Sequence, residues 1–92
     1  MNAYSETDIQ QLCRRLQIDT GFFQQCLDES VIEIQKQDDA LELRNASALR
    51  LRRLQRLCDT LSIDPPVALL LSDLLRRVSE LEAALARTGQ NL

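Results

Sequence analysis

The stretch IDPPVALLLSDLLRRVSELEAALARTG, residues 63 to 89, restricts this chain more than any other segment. Asp64 can cap a helix, and Pro65 suits its first position, where the missing N–H costs nothing. From Val67 the apolar residues fall at 67, 71, 74, 78, 81 and 85, in alternating steps of four and three, which is a heptad seam ending near Gly89. Leu69, Leu70 and Leu75 widen the stripe in the first half, so that end is expected to pack on its own domain. The second half keeps only the narrow seam. A narrow seam on a projecting tail asks for a partner helix, and Leu71, Leu74, Val78, Leu81 and Leu85 are the predicted contacts of a homodimer.

The remainder must supply the domain that carries this helix. Ninety-two residues make one small unit, able to bury only about 60 to 65% of its unfolded surface, so association is an expected source of stability. Ser5 is the predicted N-cap of a first helix, with Glu6 and Asp8 in its first turn and Ile9, Leu12, Cys13 and Leu16 on one face; the helix stops near Gln17. Asp19 or Thr20 then caps a second helix. Its Phe23, Cys26 and Leu27 point inward, Gln24, Gln25 and Asp28 outward, and Phe22 lies at the edge. Two short helices joined by about three residues have the shape of a helix-turn-helix.

Val31, Ile32 and Ile34 are β-branched, and Leu41 and Leu43 alternate with Glu42, which predicts a small hairpin, or wing, turning at Asp38 and Asp39. Asn45 or Ser47 caps a third helix, with Leu49, Leu54, Leu57, Cys58 and Leu61 as its expected buried positions and Arg50, Arg52, Arg53 and Arg56 around the rest. The expected fold class is all-α, mainly helical, with a small β-hairpin wing: a winged helix-turn-helix domain over residues 1–63, then a C-terminal helix and dimerisation tail over 64–88.

Several function classes are disfavoured. There is no histidine, the commonest general base and zinc ligand. There is no glycine-rich phosphate loop and no nucleophile elbow, and the paired acids at 28/29 and 38/39 fall in segments predicted to be exposed. No enzyme activity and no cofactor are expected. Cys13, Cys26 and Cys58 are odd in number, widely spaced and set in apolar patterns, which reads as buried thiols rather than a disulfide or metal framework. The start MNAYSETD has no basic or apolar leader character, and the longest apolar run, Val67 to Leu71, is far short of a membrane span, so a soluble cytoplasmic protein is expected.

Charge placement separates the two remaining classes, a DNA-binding regulator and a protein-binding module. Overall the chain is at −3, with 11 bases against 14 acids. Between Asp19 and Leu43, the second helix and wing, it holds seven acids and Lys36 alone, a net −6. Helix-turn-helix proteins read bases with this second helix and neutralise phosphates around it, so −6 here opposes duplex DNA. The arginines from Arg44 to Arg56 belong to the third helix and its approach, a weaker basis for DNA contact.

The series QLCRRLQIDTGFFQQCLDESVIEI, then a wing, then LRLRRLQRLCDTLSIDPPVALLLSDLL and a heptad tail, resembles the MerR-like helix-turn-helix architecture. Within it, SIDPPVALLLSDLLRRVSELEAAL looks like the chaperone-modulator family of CbpM, whose members open a leucine-rich helix with an aspartate and a proline and run into an L-x-x-E tail. The matching positions are Asp64, Pro66, Leu74, Leu75, Val78 and Leu81. Pro65 stands where that family usually has tryptophan, and Val67 where it often has glycine. The resemblance implies a small dimeric protein that binds the J-domain of a CbpA-type DnaJ homologue and restrains its work with DnaK. J-domains of that kind present a basic second helix, so the expected docking residues are Gln24, Gln25, Asp28, Glu29, Asp38 and Asp39, with Phe22 as an apolar anchor. The alternative is a MerR-type DNA-binding transcriptional regulator.

Overall fold

The computed structural model describes residues 4–89. Four helices and one hairpin follow in the order α1 (Glu6–Leu16), α2 (Thr20–Asp28), β1 (Ile34–Gln37), β2 (Ala40–Leu43), α3 (Ala48–Leu61) and α4 (Pro65–Arg87). Local chemistry sets the boundaries. The Ser5 hydroxyl accepts from the Asp8 N–H, the Asp19 carboxylate from Phe22 N–H and the Ser47 hydroxyl from Arg50 N–H, each satisfying a donor left free by the first helical turn. Gln17 and Ser62 close α1 and α3 in the left-handed conformation, at φ 56° and 54°. Ile18 follows Gln17, donates to the Cys13 carbonyl at 3.0 Å and buries its side chain, so the turn between α1 and α2 is itself part of the core.

The hairpin is antiparallel and pairs Ile34 with Leu43 and Gln37 with Ala40, leaving Asp38 and Asp39 as a two-residue turn at φ 52° and 64°. Positive φ at both central positions is the geometry whose twist matches a right-handed hairpin, and Asp is among the residues that tolerate it. The wing is tied down at its root. Glu33 N–H donates to Asn45 Oδ1 at 3.0 Å and Arg44 N–H to the Glu33 carbonyl at 2.9 Å, while Arg15 of α1 reaches the Leu41 carbonyl at 2.5 Å and Glu42 at 3.1 Å.

The core gathers Leu12 and Cys13 of α1, Phe22, Phe23 and Cys26 of α2, Ile32 and Leu41 around the wing, Leu51, Leu54 and Cys58 of α3, and Ala68 of α4. Four expectations are corrected here. Phe22 is 9% exposed and a core residue rather than an edge residue, because α2 turns Phe22, Phe23 and Cys26 together onto one face. Leu51, not Leu49, is the buried leucine at the start of α3; Leu49 is 50% exposed and Leu61 48%. In α4 only Pro65 and Ala68 are buried. Leu69, Leu70 and Leu75, expected to pack on the domain, lie in solvent with Val67.

The reason lies in where α4 points. A compact chain of this length has a radius of gyration of about 12 Å, whereas the observed value is 16.5 Å with a longest extent of 54 Å. A 23-residue helix is about 34 Å long. Anchored to α3 and α2 by its first turns, α4 projects beyond the domain and leaves most of its leucines exposed.

All three cysteines are free and buried. Burial pushes each thiol above its ordinary value near 9.0, and Cys26 reaches about 12, with the negative charge of Cys58 and Glu29 adding to the burial effect. The unfolded chain therefore gives up these protons near pH 9 while the folded chain keeps them, so the unfolded state binds fewer protons between pH 9 and about 12. Stability is expected to be unaffected by the thiols below pH 9 and to fall above it, with a smaller fall in Cys26→Ala, measured by urea midpoints. Alkylation of the folded protein at pH 8 should be at least about tenfold slower than in urea. Equal rates would show that the thiols are not held in the core.

Candidate protein-docking surface

In α2 the face opposite Phe22, Phe23 and Cys26 is formed by Gln25 and Asp28, with Gln24 at its half-buried margin, and Glu29 follows as the C-cap. Gln24 Nε2 donates to Asp28 Oδ1 at 3.0 Å, one turn apart, which holds these two side chains against the helix. Asp19 already occupies the positive end of α2 by accepting from Phe22 N–H at 2.9 Å, and its own N–H donates to Gln55 Oε1 of α3 at 3.4 Å. Arg52 of α3 donates to the Leu16 carbonyl at 2.7 Å. The turn and the start of α2 therefore rest on α3, and the exposed face of α2 is held at a fixed angle.

The seven acids of this region divide in two. Asp19 is a cap, and Glu42 and Glu33 are paired with Arg15 at 3.1 Å and Arg44 at 3.4 Å, arginines outside the acidic segment. Asp28, Glu29, Asp38 and Asp39 are exposed and have no cation in an ion pair among the described residues. Two separate acidic groups result rather than one patch. Gln24, Gln25, Asp28 and Glu29 share α2, whereas Asp38 and Asp39 sit at the wing tip, and the hairpin is braced through α1. Phe22 belongs to neither, because its ring is in the core.

A winged helix-turn-helix whose second helix and hairpin stand out from a small core, followed by a long C-terminal helix, agrees with a family match over residues 7–90, to the MerR HTH family regulatory protein model. The chain belongs to the MerR helix-turn-helix family. Comparisons with curated proteins and with solved structures return no significant match. DNA-binding helix-turn-helix proteins contact bases with their second helix, and in this MerR-family chain the second helix, α2, contains no lysine or arginine.

Three of the five predicted tail contacts are exposed. Leu74, Val78 and Leu81 are 52%, 53% and 64% exposed, while Leu71 and Leu85 are half-buried. Val67 and Leu70 add to this face at 54% and 67%. Among the described residues no helix is long and apolar enough to cross a membrane, so the apolar surface of α4 is not that of a spanning segment.

Sequence reasoning did not find a second feature. Between the wing root, α3 and α4 lies a groove of about 400 Å³, and three arginines, Arg50, Arg53 and Arg76, stand around it. Arg50 and Arg53 read in the sequence as part of a solvated ring on α3. Only the path of α4 places Arg76 opposite them.

Proposed function

We propose that this MerR-family protein is a protein-binding chaperone modulator, which docks the J-domain of a CbpA- or DnaJ-type co-chaperone and restrains its action with DnaK. It works as a homodimer joined through α4. The observation that carries the proposal is the acidity of the elements that read DNA in a helix-turn-helix: four carboxylates on α2 and the wing that have no cation partner among the described residues, with Lys36 the one base in this stretch. A basic helix of a partner gains steering and charge-assisted hydrogen bonds from such a surface, whereas a phosphate backbone is repelled by it. The likeness of the Asp64-to-Leu81 segment to chaperone modulators supports a J-domain as the partner.

A second reading, a DNA-binding regulator, has one feature in its favour. Arg50, Arg53 and Arg56 are exposed on α3 and have no ion-pair partner among the described residues, so a cationic strip exists away from α2.

Asp28→Lys with Glu29→Lys separates the two. J-domain binding by titration calorimetry is expected to weaken at least about tenfold and to lose much of its salt dependence, with helicity unchanged because both residues are on the surface. The parent should show no sequence-selective duplex binding at about 150 mM salt. Unchanged J-domain affinity in the variant would place docking elsewhere on the molecule. Submicromolar, sequence-selective DNA binding by the parent would replace the proposal with the regulator.

A further inference from the structure

The groove between the wing root, α3 and α4 has a composition unlike the rest of the molecule. Its accessible apolar walls are Val31, after α2, and Leu69 of α4, and beneath them lie the core residues Ile32, Leu51 and Leu54. Its polar groups are Arg50, Arg53 and Arg76, the Ser72 hydroxyl, and Asn45, whose Oδ1 is already engaged by Glu33 N–H. Among the described residues no aspartate or glutamate lines it. Arg76 is answered by Asp73 and Glu80 on α4, which leaves Arg50 and Arg53 as the groove's two unanswered cations inside a chain with net charge −3.

The three guanidinium groups are not equivalent. Arg76 is paired with Asp73 and with Glu80 along α4, so much of its charge is answered there. Arg50 and Arg53 have no such partner among the described residues and stand one turn apart on α3. Together with the Ser72 hydroxyl they supply donors at one edge of an apolar trough, and guanidinium groups suit a carboxylate through paired N–H donors. The volume is at the lower end of small-molecule sites, which match an apolar body to a few placed polar groups.

We propose that this groove binds a small organic anion with an apolar tail, a carboxylate of about six to ten carbons, its head on Arg50 and Arg53 and its tail against the accessible faces of Leu69 and Val31. The occupant follows from the pairing of surfaces. An inorganic anion would leave the apolar walls, Leu69 and Val31, uncovered, and an uncharged hydrocarbon would leave the arginines unanswered. Because α4, α3 and the wing root all contribute walls, an occupant bridges the tail to the base of the wing. The site is separate from the α2 and wing acids and stands or falls independently of the J-domain proposal.

Octanoate, butyrate, 1-octanol and inorganic phosphate are the probes, titrated into the full-length chain by calorimetry and followed by thermal melting. Octanoate is expected to bind and raise the melting temperature. Butyrate should bind more than about tenfold more weakly, since each buried methylene is worth about fourfold in affinity. Arg50→Gln with Arg53→Gln should lower octanoate affinity at least about tenfold while the ligand-free melting temperature stays the same, because both side chains are exposed. Equal binding of octanoate and 1-octanol, or unchanged octanoate affinity in the double variant, would overturn the head-group assignment. Phosphate binding as tight as octanoate would reduce the groove to a simple anion site and overturn the apolar part.

Discussion

Replacing Val78 and Leu81 with aspartate is expected to convert a homodimer into a monomer, with the dissociation constant raised at least about a thousandfold. The magnitude follows from the surface that α4 leaves uncovered. Val78 and Leu81 are 53% and 64% exposed in one chain, and in a symmetric dimer each contributes twice. Burying a side chain of this kind is worth about 1.5 to 3 kcal/mol, and a charge placed in an apolar seam adds a desolvation cost to the loss. Four such substitutions across a dimer exceed the roughly 4 kcal/mol that a thousandfold change requires.

Light scattering should then give a mass near 10.5 kDa for the variant and twice that for the parent at micromolar concentration. Circular dichroism should retain the signal of α1, α2 and α3, whose contacts with one another do not involve the tail, and should lose part of that of α4, since an amphipathic helix draws most of its stability from packing of its apolar face. A parent that is itself monomeric at micromolar concentration would sink the dimer. Leu74→Asp offers a check, because a residue on the same face should act in the same direction.

Phe23→Ala is expected to remove 3 to 5 kcal/mol, roughly, of folding stability, the usual range for a fully buried phenylalanine truncated to alanine. The ring is wholly inaccessible and is the largest of the fully buried side chains. A chain of this size has about 5 to 14 kcal/mol in total, so the loss should lower the melting temperature by some 15 to 30 °C. Leu49→Ala, on a side chain 50% exposed, should cost less than about 1 kcal/mol. The contrast matters because a sequence reading places Leu49 inside and gives no warning of Leu51. Comparable losses at Leu49 and Phe23 would show that α3 is rotated about its axis from the orientation described here.

Helix starts and stops, the wing and its turn were legible before any contact was known, since each depends on residues within a few positions of one another. Ser5, Asp19 and Ser47 carry side-chain oxygens that reach N–H groups three residues on, and Pro65 can occupy the first helical position. Asp38 and Asp39 accept the positive φ of a tight hairpin. The acidity of the second helix and wing was also visible in the order of residues, but its partition was not. Glu33 and Glu42 are answered by Arg44 and Arg15, and the Arg15–Glu42 pairing exists only once α1 and the hairpin are packed together.

What sequence alone determined is therefore the set of elements, their local ends and the heptad face of α4, because these are properties of a chain over one or two turns. Tertiary structure decided which faces meet. Where leucines surround much of a helix, periodicity offers several apolar faces of similar quality, and the direction of the neighbouring element selects among them. For α3 that selection took Leu51 and left Leu49 and Leu61 in solvent; for α2 it drew Phe22 into the core, away from any partner. For α4 the domain claimed only Pro65 and Ala68, since the helix leaves the core after its first turns. The same departure opened the groove that brings Arg76 opposite Arg50 and Arg53, residues more than twenty positions apart whose shared surface no local rule could place.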